Sequence, residues 1–298
     1  MNQGILAALA AYFLFSTGDA TIKLLGSSLP VFEILFFIMA FHLLSLPLAR
    51  RRSEPWRAAL QVKEPRLVAV RVACAVIAGI CSVTAFTTLP FAEAYALLFL
   101  MPVFTTLLSI PLLGEEVGWR RGFAVLLGFA GVLLVVRPGF QALTLGHLAA
   151  LGGAASGAIS MITLRRIGST ENRVTLLGAM YVANVVVNGL LMVPHFVMPT
   201  PTAFAMLAFV GVVGSIGQVL MIAATRRAPA SQVATTQYSQ IVWAVVFGMV
   251  VFNEWPDALS VAGMAMVGLS GLITLRREVV RHGLTRRELV ARVPPDEI

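Results

Sequence analysis

The sequence predicts an all-α integral membrane protein of ten transmembrane helices, arranged as two inverted five-helix repeats. Three observations predict it. Apolar runs of about 20 residues, the length needed to cross a bilayer, recur along the whole chain. The Lys and Arg residues fall almost entirely in alternate gaps between those runs. Two long stretches also resemble each other, one in each half.

Of 298 residues, 58% are hydrophobic and 12% charged, and mean hydropathy is +0.87, a composition made of spans with no separate soluble domain. The amino terminus lacks a basic region and a small-residue cleavage site, so the first run is expected to stay as a helix. The predicted spans cover 4–25, 30–49, 67–88, 91–112, 119–136, 145–164, 174–194, 203–225, 231–252 and 258–275. Several connections are only a few residues long, which makes consecutive helices antiparallel neighbours. With the amino terminus in the cytoplasm, all of the 22 basic residues except Lys23 and Arg137 fall on the inner side, in loops around Arg50–Arg71, Arg120–Arg121, Arg165–Arg173 and Arg226–Arg227 and in the tail. Short-loop Lys and Arg set orientation, so both termini are expected in the cytoplasm of a bacterial-type inner membrane. The same distribution accounts for the net charge of +8 without nucleic acid, since no basic helix face or aromatic platform is present. Cys74 and Cys81 lie on one helix about 10 Å apart, too far for a disulfide. The segment 54–65 reads as a loop or a short interfacial helix carrying Trp56, and the arginine-rich tail as a solvated segment near anionic lipid.

The stretch LPFAEAYALLFLMPVFTTLLSIPLLGEE (Leu89–Glu116) aligns with APASQVATTQYSQIVWAVVFGMVVFNEW (Ala228–Trp255). Pro90 then falls on Pro229 and Gly114-Glu115 on Asn253-Glu254, and after a one-residue slip Gly128 and Gly131 fall on Gly268 and Gly271. Five spans per repeat is odd, so the second repeat must be inserted upside down. The predicted division is 1–140 for the first repeat, 141–276 for the second and 277–298 for a basic cytoplasmic tail. Inverted repeats are common in secondary transporters, whose substrate sits between the halves near the midplane.

These paired motifs, each closing a span with Glu and followed by a glycine-spaced helix, resemble the repeats of EamA-type proteins in the drug/metabolite transporter superfamily. The resemblance covers essentially the whole chain. It implies a ten-helix carrier of small metabolites whose central cavity is lined mainly by spans 1, 3, 4, 6, 8 and 9. Amino-acid exporters belong to that family, as do uptake systems for S-adenosylmethionine and riboflavin. The Asp-x-x-x-Lys of span 1 followed by LPVFEILFF leans toward the uptake-associated and uncharacterised branches.

Candidate substrate-binding residues follow from polarity inside spans. Asp19 and Lys23 are four apart on one helical face and can pair, with Glu33 as a second partner for Lys23. Asp19 is then either part of a structural ion pair or the group that exchanges Lys23 for a substrate amine. In span 9, Gln240 and Trp243 share a face with Thr236 and Phe247, and Tyr238 lies beside it; that face belongs to a cavity or to the core. Tyr95 and Phe99 in span 4 are four apart, with Pro102 nearly in line. Small-residue runs at Gly152–Ser160 and Gly211–Gln218 read as packing seams, with Gln218 beside the second. Glu93 is expected near the outer rim, a neutral His42 deep in span 2, and Glu115 and Glu254 in loops at opposite faces.

No HExxH, GxSxG, CxxC or GxxxxGK[ST] motif is present, which argues against an enzyme or an ATP-driven pump and calls for no cofactor or metal. A channel or scaffold would need no inverted repeat. The expected function is alternating-access transport of amino acids or close derivatives, export slightly favoured, with uptake of S-adenosylmethionine- or riboflavin-like metabolites as the alternative. The expected partners are a small-molecule substrate, lipid and, as a possible coupling ion, the proton. Ten helices suffice for a monomeric carrier.

Overall fold

The computed structural model describes residues 3–49, 61–113, 119–137, 143–168 and 170–273. The expectations for Trp56, Glu115 and the 277–298 tail fall outside them. The described residues form helices and short connections without strands: α1 (Gln3–Leu25), α2 (Val31–Ala49), α3 (Pro65–Thr88), α4 (Phe91–Leu98), α5 (Met101–Leu113), α6 (Trp119–Val136), α7 (Leu145–Ile167), α8 (Arg173–Met192), α9 (Pro201–Arg227), α10 (Ala230–Thr236), α11 (Ser239–Phe252) and α12 (Ala258–Ile273). Among the described residues, six helical stretches are long and apolar enough to cross a membrane, and four shorter apolar helices accompany them. These fall on the ten predicted spans.

Helix is what this composition must form in hydrocarbon, where every backbone N–H and C=O has to be satisfied within its own segment. The starts are marked by residues suited to orphan amides: Pro65 and Pro201 in the first turn, Asn172 accepting from Val174 N at 3.1 Å, and Thr200 accepting from Ala203 N at 3.2 Å. Arg165, Arg166, Arg226 and Arg227 close α7 and α9, where cations meet the helix-dipole carbonyls.

Two predicted spans are interrupted. Span 4 breaks at Phe99–Leu100 between α4 and α5, and span 9 at Gln237–Tyr238 between α10 and α11. At the first break, Pro102 has no N–H to give to the carbonyl four residues back. At the second, the chain tightens into i→i+3 bonds, from Gln240 N to Gln237 O at 3.0 Å and from Ile241 N to Tyr238 O at 3.1 Å. Thr236 is therefore not on one continuous helical face with Gln240 and Trp243, which corrects the single-helix expectation for span 9.

Packing between the two sets of five spans is reciprocal. The most extensive contacts run between α1 and α9, α3 and α7, and α2 and α8. In repeat terms, first meets third, third meets first and second meets second. The broken spans also meet each other, through α4 and α11. The fifth spans cross at glycine: a Cβ on Gly131 of α6 would stand 2.6 Å from the Gly263 carbonyl oxygen of α12, too close for any side chain. Close backbone approach of this kind replaces the hydrophobic effect, which lipid does not supply. The main core lies where α1, α3, α4, α7, α11 and α12 converge, around Phe86, Phe91, Tyr95, Phe99 and Leu100.

Candidate functional site

At that convergence four polar side chains from three helices meet. The Tyr95 hydroxyl donates to Asp19 Oδ2 at 2.6 Å and lies 3.2 Å from Ser16 Oγ. Gln240 Nε2 reaches the same hydroxyl oxygen at 3.4 Å. Ser16, Tyr95 and Gln240 are buried, whereas Asp19 keeps part of its surface open. Ser16 and Asp19 are three apart on α1 and so share a face, Tyr95 is brought in by α4, and Gln240 begins the second half of a broken span. The O–H of Tyr95 is the strong donor here, short because its acceptor is a carboxylate. Aromatic rings continue the cluster: Tyr95 lies 6.0 Å from Phe99, and Phe99 lies 5.6 Å from Tyr238. Phe99 and Tyr238 are aligned residues of the two repeated stretches, so the helix breaks of the two repeats touch each other.

Lys23 is not the partner of Asp19. Its ammonium pairs with Glu254 Oε1 at 2.8 Å, donates to the Leu89 carbonyl and sits over the Phe252 ring. Glu254 Oε2 accepts from Phe91 N at 2.6 Å. This arrangement ties the last turn of α1 to the start of α4 and the end of α11. The sequence expectation of an Asp19–Lys23 pair fails because an acidic residue brought in from the end of a distant helix satisfies the cation better than a neighbour on its own helix. Glu33 is also not a Lys23 partner: it is fully buried and accepts from Val197 N at 3.0 Å.

The remaining candidates separate. Trp243 packs edge-on against Phe13 at 4.8 Å and stacks on Phe247 at 6.2 Å, and among the described residues it makes no hydrogen bond to the polar cluster. Gln218 is exposed on α9 and joins no part of the cluster. Near it, an apolar groove of 460 Å³ lined by Phe41, Gly211, Ser215 and Leu220 opens among exposed Leu44, Val212 and Val219, the setting of a lipid-facing crevice. Glu93 accepts from His147 Nε2 at 2.9 Å. The Thr144 N–H donates to His147 Nδ1 at 3.0 Å, so that nitrogen carries no proton and Nε2 does. His42 lies 5.6 Å from Tyr181, ring to ring.

Sequence reasoning missed Ser16 and gave Arg71 no place inside the bundle. The i, i+3 spacing to Asp19 was available for Ser16. Arg71 was counted with a loop although it lies inside the predicted third span.

A bundle of apolar helices with a polar cluster at the junction of two broken spans is the architecture of a multi-spanning membrane protein. The chain belongs to the EamA-like transporter family, whose pattern it matches over residues 2–137 and 144–276. That family is a ten-helix membrane fold of transporters, not enzymes. The chain is 28% identical over 269 residues to a protein of Pseudomonas aeruginosa named pseudopaline exporter CntI, covering 90% of this chain and 94% of that one. It is 24% identical over 267 residues to an S-adenosylmethionine uptake transporter of Rickettsia prowazekii, covering 89% and 90% of the two chains. A solved structure described simply as the crystal structure of a protein superposes with a TM-score of 0.64 at 19% identity, covering 92% of this chain and 98% of that one, a likeness of fold. The protein is thus a multi-pass membrane transporter of small metabolites.

Proposed function

We propose that this chain carries amino acids or close amine-bearing derivatives across the bacterial inner membrane by alternating access, with export favoured. One observation carries the reading: among the described residues, Asp19 has no cation. Its neighbours in the cluster are hydroxyls and an amide, and Lys23 is engaged by Glu254. A carboxylate within a span and without a counter-ion is a ready receiver for a substrate ammonium, with Tyr95, Phe99 and Tyr238 offering apolar and aromatic surface beside it.

In this reading residues 1–140 and 141–276 are inverted repeats and both termini are cytoplasmic, which places Lys23 and Glu254 at the outer end. Their pair, with its ties to Leu89 and Phe91, then closes the outer end in the present conformation. The reciprocal packing of α1 with α9 and of α3 with α7 supports the repeat. The pseudopaline exporter favours outward transport; the S-adenosylmethionine uptake relatives favour the second reading, import of a related metabolite.

The test is flux into proteoliposomes of labelled amino acids, S-adenosylmethionine and riboflavin, with and without a pH gradient, for wild type and Asp19→Asn. Saturable amino-acid flux that falls in the variant supports the reading, and dependence on the gradient identifies the proton as coupling ion. Flux confined to S-adenosylmethionine or riboflavin moves the protein to uptake. Non-saturable flux makes it a channel.

A further inference from the structure

Arg71 is a second charge inside the bundle that nothing so far has used. It lies six residues into α3, about 9 Å along the helix from its start. It is only 8% exposed. Its guanidinium donates to a single main-chain acceptor, the Ser160 carbonyl of α7, at 3.3 Å, and Nε is buried without an acceptor. Ser160 Oγ in turn donates to the Arg71 carbonyl at 3.3 Å, which fixes the α3–α7 crossing around it. Among the described residues no carboxylate forms an ion pair with it; Glu171, in the connection between α7 and α8, is taken up by Lys63 N and Glu64 N.

A buried cation without a counter-ion is costly, and its planar fork of donors matches an anion with two oxygens. We propose that Arg71 is a docking residue for the carboxylate of the transported metabolite, deepening the reading above by adding an acidic group to the amine received at Asp19. The two charges are not reached together. Phe86, which lies 5.2 Å from Tyr95 ring to ring, is fifteen residues beyond Arg71 on α3, or about 22 Å of helix. A small amphoteric substrate therefore meets Arg71 and Asp19 in turn, from opposite ends of the bundle.

The experiment uses the full chain in lipid nanodiscs and matched probes: each of a panel of amino acids and its methyl ester, titrated by calorimetry against wild type, Arg71→Gln, Arg71→Lys and Asp19→Asn. The acids should bind at least about tenfold more weakly to Arg71→Gln, the loss expected for a charge-assisted contact, with the esters unchanged. Arg71→Lys, which keeps the cation and serves if the glutamine variant does not fold, should retain part of the preference for acids over esters. Asp19→Asn should weaken the esters, which offer only the amine, and leave the Arg71-dependent binding of the acids in place. If wild type binds acids and esters equally and both Arg71 variants bind as it does, the Arg71 assignment is overturned while the amine reading stands. If wild type binds neither series, both fall together.

Discussion

Tyr95 sits at the centre of the polar cluster because three different chemistries need its one oxygen: it donates to Asp19 while Ser16 and Gln240 lie within reach of it. Tyr95→Phe keeps the ring packing against Phe86 and Phe91 but leaves the carboxylate without its strongest donor. Substrate binding should weaken by about tenfold, the worth of one hydrogen bond to a charged group, while the fold persists; equilibrium binding and circular dichroism check the two halves of that statement. Glu254 separates charge from geometry in the same way. Glu254→Gln keeps an acceptor for Phe91 N and loses the attraction to Lys23, whereas Glu254→Ala loses both. Thermal unfolding in detergent should place the variants in that order below wild type, with alanine costing about 1–3 kcal/mol more than glutamine because the Phe91 amide is then unsatisfied. Among residues, polarity was legible and partnership was not. Asp19 and Gln240 stood out as polar groups in apolar runs and Tyr95 as half of an aromatic pair with Phe99, and the three do meet. Lys23 found its acid just past the end of α11 instead of on its own helix, a choice that tertiary structure alone makes.

At the scale of elements, glycine decides how closely helices approach. A Cβ on Gly271 of α12 would overlap the Tyr238 hydroxyl at the break between α10 and α11. Gly271→Val should force Tyr238 off Phe99 and destabilise by about 1–3 kcal/mol, the usual cost of overpacking, read as a lowered midpoint of thermal unfolding. Asn253 illustrates a signal the sequence did carry. It holds a left-handed conformation, φ 54°, at the end of α11, and Glu254 N closes the turn on Gly248 O at 2.8 Å. Asn tolerates that conformation, and the aligned position in the first repeat is Gly114, the other residue that does. The break in span 4 was harder to see, because both of its halves are apolar; in span 9 the polar run from Ser231 to Gln240 ahead of Ile241 did mark the place. That Gln218 lies apart from the cluster was hidden for a related reason. A helix surrounded by lipid on one side and protein on the other is apolar all round, so its sequence does not mark which face looks inward.

Across the whole molecule, the span count was legible because water tolerates long apolar runs so poorly, and the reciprocal pairing of the two sets of helices follows the repeat. The ends of the fifth spans are also joined outside the apolar region, where Arg137, at φ 47°, pairs with Asp257 just before α12. The Arg137 guanidinium holds the Asp257 carboxyl well below the usual carboxylate range, aided by the Ser260 amide and hydroxyl. A depressed folded value means that this contribution is present above the ordinary aspartate range near about pH 4 and is lost as pH falls toward the folded value. Unfolding midpoints should therefore drop with acid slightly more in wild type than in Asp257→Asn, and high salt should shrink the difference, since the pair is exposed.

The exchange of partners between the two sets of helices also bears on how the protein is made. α1 packs chiefly on α9, α3 on α7, and Lys23 is neutralised by an acid at the end of α11. During synthesis from the amino terminus, α1 enters the bilayer carrying Asp19 and Lys23 before Tyr95 and Glu254 exist. The first five spans have no finished core to settle into, and they must wait at the insertion machinery or among lipids until the last helices arrive. Assembly is thus a late, cooperative event, and a chain stopped before α11 would leave Lys23 without its acid.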